Sequence, residues 1–362
     1  MKKIDKKSII SIILLNFTAI KMMLLPSLCT ANIGGSSFIF VLMMFVFEIV
    51  ILAMLLHVAK STNQTFFETV QDIFGKVIGK IIVAIYFIYF LINTFAVIES
   101  LYLYLSEHLY SRYEWIQYII PLFLMIFFVS TTRLDGMSKT IQFLVPFTIL
   151  CIFLSVFLGA INCDFTNCLP LFEKGADKGL NIFNYSYWFG DGLIMMLYFG
   201  RVDNKKSTNT IILWAFIISL VITFFYLIFY CIYEADTINN KEAITDVLKV
   251  LPQNSDVGSV NWVITVLWHA VLLSYICLNA FTTRIFFEGL VPIKNPKISI
   301  SIVLALIFAG LLVINFDMVK LLTFLVIYTK YFAIACQYIL PVIITIGFAI
   351  KNRRKHEKVY AK

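Results

Sequence analysis

The stretch "NFTAIKMMLLPSL", residues 16–28, places a lysine and a proline inside an apolar run that begins at Ser8. A plain membrane anchor would carry neither at that depth. Lys21 needs a partner or a polar cavity, and Pro26 removes an N–H and disrupts the turn before it, freeing carbonyls around residues 22 and 23.

The surrounding chain sets the context. Of its 362 residues, 60% are hydrophobic, 16% aromatic and 14% charged, and its mean hydropathy is +0.90. A soluble domain of this length needs more charge to cover its surface. The apolar residues recur in runs of about 20, the length of a helix that crosses a bilayer. Lys2, Lys3, Lys6 and Lys7 precede the first run as they would in a signal peptide, but Leu28 before Cys29 is a poor cleavage site and more apolar runs follow. The first run is therefore expected to be an uncleaved span.

Ten spans are placed at 8–30, 36–59, 78–106, 114–131, 138–160, 182–202, 208–233, 259–289, 298–316 and 319–350. The reading is an all-α polytopic membrane protein, one transmembrane domain over 1–362. With the N-terminus inside, the inner segments hold 21 of the 29 Lys and Arg residues and the outer ones 6, leaving Lys21 and Lys330 within spans. This bias puts both termini, including the basic tail 351–362, in the cytoplasm. It also accounts for the net charge of +8 without a nucleic-acid partner; the membrane lipid is the expected surrounding.

Five cysteines, Cys29, Cys151, Cys231, Cys277 and Cys336, lie in or at the ends of spans and read as packing residues. Cys163 and Cys168, in "NCDFTNC", fall in an outer loop, where either a disulfide or two free thiols would fit. His57, His108, His269 and His356 are scattered, so no metal site is expected. No phosphate loop, nucleophile elbow or paired catalytic carboxylates are found, and neither an enzyme nor a cofactor is expected. In "NQTFFETVQDIFGKVIGK" (63–80), Phe66, Phe67, Val70, Ile73, Phe74 and Val77 recur at helical spacing, which predicts an amphipathic surface helix. In "NNKEAITDVLKVLP" (239–252), Ile244, Val247, Leu248 and Leu251 do the same and suggest either an outer lid or surface decoration.

Three charges share one depth: Lys21 in the first span, Glu48 in the second and Asp191 in the sixth, within "YWFGDGLIMM". Each costs on the order of 2.5–3.5 kcal/mol at a helix centre, so mutual neutralisation or a polar cavity is expected. Lys21 and Glu48 could form a purely structural bridge, or Glu48 could be protonated and only hydrogen-bonded. Gly190 and Gly192 flank Asp191 and weaken that helix by about 1 kcal/mol each relative to alanine. The first and sixth spans are thus both candidates for broken helices. Such breaks, five spans apart, are the pattern of two inverted five-helix repeats with a site at their interface, here about 8–160 and about 182–350.

At this point the chain resembles the spore germination permeases, the B subunits of nutrient-germinant receptors, within the amino acid–polyamine–organocation superfamily. The resemblance rests on "LLPSLCTANIGGSSFIFVLM", "NQTFFETVQDIFGKVIGKII", "TTRLDGMSKTIQFLVPFTIL", "CLPLFEKGADKGLNIF" and "YWFGDGLIMMLYFGRV". It implies a LeuT-like 5+5 fold with a small nutrient, an amino acid by analogy, bound between broken helices one and six. It also implies A-type and C-type partner subunits and an inner spore membrane location. By position, Thr18, Ala19, Ile20, Lys21 and Met22 form the first break, and Trp188, Phe189, Gly190, Asp191 and Gly192 the second. Asn93 in the third span and Ser274 and Tyr275 in the eighth are candidate walls. The family usually has a Gly-x-Gly-like stretch in the first break, where this chain has Ala19 and Lys21, so carboxylate capture by bare first-span amides is not expected. Lys21 is instead expected to pair at rest with Asp191 or Glu48 and to exchange onto an anionic ligand group. Its ammonium disfavours a nearby sodium ion, leaving proton coupling or none. Three readings stay open: a ligand-sensing receptor subunit, a secondary transporter of amino acids or similar solutes, and an assembly subunit with an inactive pocket.

Overall fold

A computed structural model describes residues 4–108, 114–202, 205–240, 242–249, 260–315 and 317–360. The end of the tail (361–362) and of the predicted lid (250–252) lie outside the described residues. Among the described residues the chain is helical, with no strand beyond an isolated bridge between Ile4 and Val202. Among the described residues, seven helices are long and apolar enough to cross a membrane, and two apolar helices, Trp115–Ser130 and Val319–Tyr328, are shorter. Large apolar side chains such as Phe128, Phe143, Phe153 and Val313 are exposed, as expected where hydrocarbon rather than water is the solvent.

The first span is interrupted. Its first half, Lys6–Thr18, ends in turns over residues 19–24, and a second half, Leu25–Ile33, restarts with Pro26 in its first turn. Proline is tolerated there because its missing N–H would have had no helical partner. The carbonyl of Met23, left without a helical donor, accepts instead from the backbone N–H of Ala243 at 3.0 Å. Ala243 opens the short helix Ala243–Lys249, which lies in the stretch read as lid or decoration. That helix is packed in: Ile244, Val247 and Leu248 are buried, and the hydroxyl of Ser155 donates to Ile244 O.

The sixth span is interrupted too, but it is not α-helical on either side of its break. Residues Leu180–Trp188 and Asp191–Tyr198 form 3₁₀ helix, separated by Phe189 and Gly190. A 3₁₀ helix rises about 2.0 Å per residue against 1.5 Å for an α-helix, so this short segment reaches about 38 Å. Runs this long are uncommon and mark a hinge or a sequence under strain. Ile4 N–H donates to Arg201 O (2.9 Å), tying the entry of the first span to the exit of the sixth.

The third span (Lys76–His108) packs along the eighth (Val260–Leu290), with paired polar contacts between Asn93 and Asn279 and between Thr94 and Thr283. The predicted surface helix forms over Phe66–Phe74, opened by a capping box between Thr65 and Glu68. In the tenth span, α-helical pieces alternate with π-helical turns at Phe324–Tyr328 and Ala335–Ile339; turns of that kind are frequent at functional sites. In the loop after the fifth span, Cys163 and Cys168, offered above as a bridge or as two thiols, are separate thiols. Hydrogen bonds from the Thr166 hydroxyl and N–H hold the neighbouring Asp164 carboxyl below the usual range.

Candidate functional site

The two breaks meet around one ammonium group. Lys21 projects from the unwound part of the first span, and its Nζ lies 2.6 Å from Oδ2 of Asp191 and 2.9 Å from Oε2 of Glu48. All three side chains are buried, Lys21 at 1% exposure. A charge so placed is tolerated only when paired and hydrogen-bonded.

The carboxylates are held from behind. Oε1 of Glu48 accepts the backbone N–H groups of Asp191 (2.7 Å) and Gly192 (3.3 Å), which open the second half of the sixth span. These donors exist because the helix is broken; a continuous one would bond them internally. Oδ1 of Asp191 accepts the Tyr275 hydroxyl at 2.9 Å. The oxygens left over, Oε2 and Oδ2, are the two that face Lys21.

Aromatic rings close the remaining directions. The Lys21 ammonium is 4.7 Å from the ring centroid of Phe17, 5.1 Å from Phe45 and 5.2 Å from Phe189. Phe17 and Phe45 stack, and Phe45 meets Phe189 edge to face. Each face adds a cation–π attraction that strengthens with desolvation.

The tenth span reaches the sixth-span break through Gln337. Nε2 of Gln337, in a π-helical turn, donates to Tyr89 Oη (2.9 Å) and to Tyr187 O (3.1 Å), a carbonyl beside the break. Gly190 sits against this pair: a Cβ there would lie 2.0 Å from Tyr89 Oη and 2.7 Å from Gln337 Nε2. At Gly192 the nearest atom to such a Cβ is 3.4 Å away, ordinary contact. Close approach therefore requires glycine at 190, whereas at 192 a methyl group would make only ordinary contact.

The candidate residues are not all brought together. Lys21, Glu48, Asp191, Gly192, Phe189 and Tyr275 converge on one point. Gly190 lies one layer behind, and Trp188 is buried beside it. The hydroxyl of Thr18 donates to Leu14 O and that of Ser274 to Ala270 O, so both are spent on their own helices. Asn93 faces Asn279, whose Nδ2 in turn donates to Tyr275 O, and so touches the triad only at one remove. Ala19, Ile20 and Met22 are buried apolar packing around the break. Phe17, Phe45, Tyr89 and Gln337 were missed. Phe17 lies four residues before Lys21 and Phe45 three before Glu48, spacings that share a helix face, and that was the available signal.

Two clefts of about 450 and 500 Å³ open elsewhere, one lined by Leu14, Phe153 and Trp214 and the other by Trp115, Phe123 and Phe308. Neither is lined by a charged residue or by a member of the triad.

These features define a many-span helical membrane protein with a buried ion triad joining two interrupted helices. The family model described as "Spore germination protein" matches residues 3–319, and the chain belongs to that family. Among solved structures it is similar to a manganese transporter of Eremococcus coleocola, crystallised with an aromatic bis-isothiourea substituted compound. The TM-score is 0.56 at 9% identity, covering 95% of this chain and 84% of the other. No curated protein matches the sequence.

Proposed function

We propose that this chain is the ligand-binding membrane subunit of a spore nutrient-germinant receptor. A small nutrient of the amino acid class binds at midplane between the two breaks and signals through A-type and C-type partner subunits. The observation that carries the reading is the triad: Lys21 in one break is held by Asp191 in the other and by Glu48. A ligand that re-pairs these charges favours one arrangement of the first and sixth spans over another, and such differential binding is what shifts a conformational equilibrium. Family membership supports the germination setting, and the Lys/Arg bias supports termini on the cytoplasmic side of the inner spore membrane.

The likeness to a manganese transporter favours a second reading, a secondary permease of amino acids. One fold hosts both functions, so the site alone does not separate them. A divalent ion is a poor cargo for this site, because the Lys21 ammonium already takes both facing carboxylate oxygens.

The test is nutrient-triggered germination of spores lacking the gene, across an amino-acid panel, with vegetative uptake of the same solutes measured in parallel. Lost response to one nutrient with uptake unchanged supports the receptor. Normal germination with reduced uptake replaces it with the permease.

A further inference from the structure

The box around the Lys21 ammonium is complete without the lysine backbone. Glu48 is fixed by two N–H groups of the sixth span and Asp191 by Tyr275, each leaving one oxygen turned inward. Phe17, Phe45 and Phe189 supply three ring faces at 4.7–5.2 Å. Two anionic acceptors and a cage of aromatic faces form a receptor for an alkylammonium ion. Lys21 fills it as a tethered occupant.

We infer that this box is the ammonium subsite of the ligand, and that the primary ammonium of a zwitterion displaces Lys21 from it. The inference rests on the ligand-binding reading above and names the group recognised. The short contacts at 2.6 and 2.9 Å need N–H donors aimed at both carboxylates, so a primary ammonium fits and its N-alkylated counterparts lose donors. Charge fixes the rest of the ligand. With all three side chains ionised the triad carries one net negative charge, so a simple anion would worsen the balance. A displaced Lys21 would itself be a buried unpaired cation, which is costly. A zwitterion meets both demands: its ammonium replaces that of Lys21 and its anionic group pairs with the lysine that has swung out. An amine without an anionic group must instead compete with a tethered ammonium at high effective concentration.

Lys21→Ala empties the box and leaves a gap the size of n-propylammonium, the three methylenes and nitrogen lost beyond Cβ. The experiment is thermal unfolding of the full chain in detergent with n-propylammonium chloride, against sodium chloride for ionic strength and n-propanol for shape without charge. The expected result is a saturable rise for Lys21→Ala, about 2 °C at ten times Kd. The wild type and Lys21→Met, in which the box stays filled, should show no such rise. A gain no larger than that from sodium chloride or n-propanol, or an equal gain in the wild type, overturns the inference. If Lys21→Ala does not survive extraction, the readout becomes the yield of monodisperse protein extracted with the amine present: recovery by the amine alone supports the box, and no recovery contradicts it. The result is independent of germination. Rescue with normal germination in the deletion strain would keep the box and remove the receptor; lost germination without rescue would do the reverse.

Discussion

The ammonium of Lys21 lies 2.6 Å from the carboxylate of Asp191 although 170 positions separate them in the chain. That contact holds the interruption of the first span against the interruption of the sixth. Its energetics follow from burial. Breaking a buried pair by removing one partner costs about 3–5 kcal/mol, whereas replacing all members by neutral residues of similar shape is often close to neutral.

Lys21→Met should therefore lower the thermal stability of the purified chain strongly, by about 3–5 kcal/mol. The triple variant Lys21→Met/Glu48→Gln/Asp191→Asn should regain most of the loss. Unfolding followed in one detergent for both variants checks this. A triple variant no better than the single one would mean that the shape of the site, not its charge, is what matters.

Gly190 and Gly192 should respond differently to alanine. Gly190→Ala drives a methyl into Tyr89 Oη and Gln337 Nε2 and should cost about 1–3 kcal/mol. Gly192→Ala meets nothing closer than 3.4 Å and should be tolerated. Tyr89→Phe, which removes the nearest atom, should relieve part of the Gly190→Ala cost. Stabilities of the three single variants and the Gly190→Ala/Tyr89→Phe double variant test the account.

The short helix Ala243–Lys249 should act as a clasp on the first break. Ala243 is its first residue, where proline is tolerated, so Ala243→Pro chiefly deletes the N–H that Met23 O receives. Losing one such bond, worth about 0.5–1.5 kcal/mol, should speed amide hydrogen exchange over residues 20–28 roughly two- to tenfold. Exchange in the third span should stay unchanged.

Thr65→Ala should be a local change. It removes the capping box of helix Phe66–Phe74 and should cost about 0.5–2 kcal/mol. Faster exchange confined to residues 66–74 is the expected signature.

The residues that were legible in the sequence are those that break a pattern. Lys21, Glu48 and Asp191 stand out because charge inside an apolar span is costly, and Pro26 and the two glycines mark where backbone must leave the helix. For Phe17 and Phe45 the spacing to Lys21 and Glu48 is the one signal, and it is weak, because 16% of the chain is aromatic and a cage ring looks like any lipid-facing or core ring. The π-helical turn holding Gln337 carries no local signal: residues 319–350 read as one span, and the partners of Gln337, Tyr89 and Tyr187, lie 248 and 150 positions away in the chain. Asn93 and Ser274 were read as walls because polar side chains in spans invite a function. Ser274 instead donates to Ala270 O on its own helix, and the side-chain amide N–H of Asn93 donates to Asn279 Oδ1.

The measurement that bears most directly on the central claim is equilibrium binding of the nutrient to which the deletion strain no longer responds. It would compare purified wild type with Lys21→Met and with Asp191→Asn, each first shown to be folded. The account predicts at least a tenfold loss of affinity in both, since each variant removes a charge that the ligand re-pairs. Unchanged affinity in folded Lys21→Met would contradict it and leave the triad as a structural bridge alone.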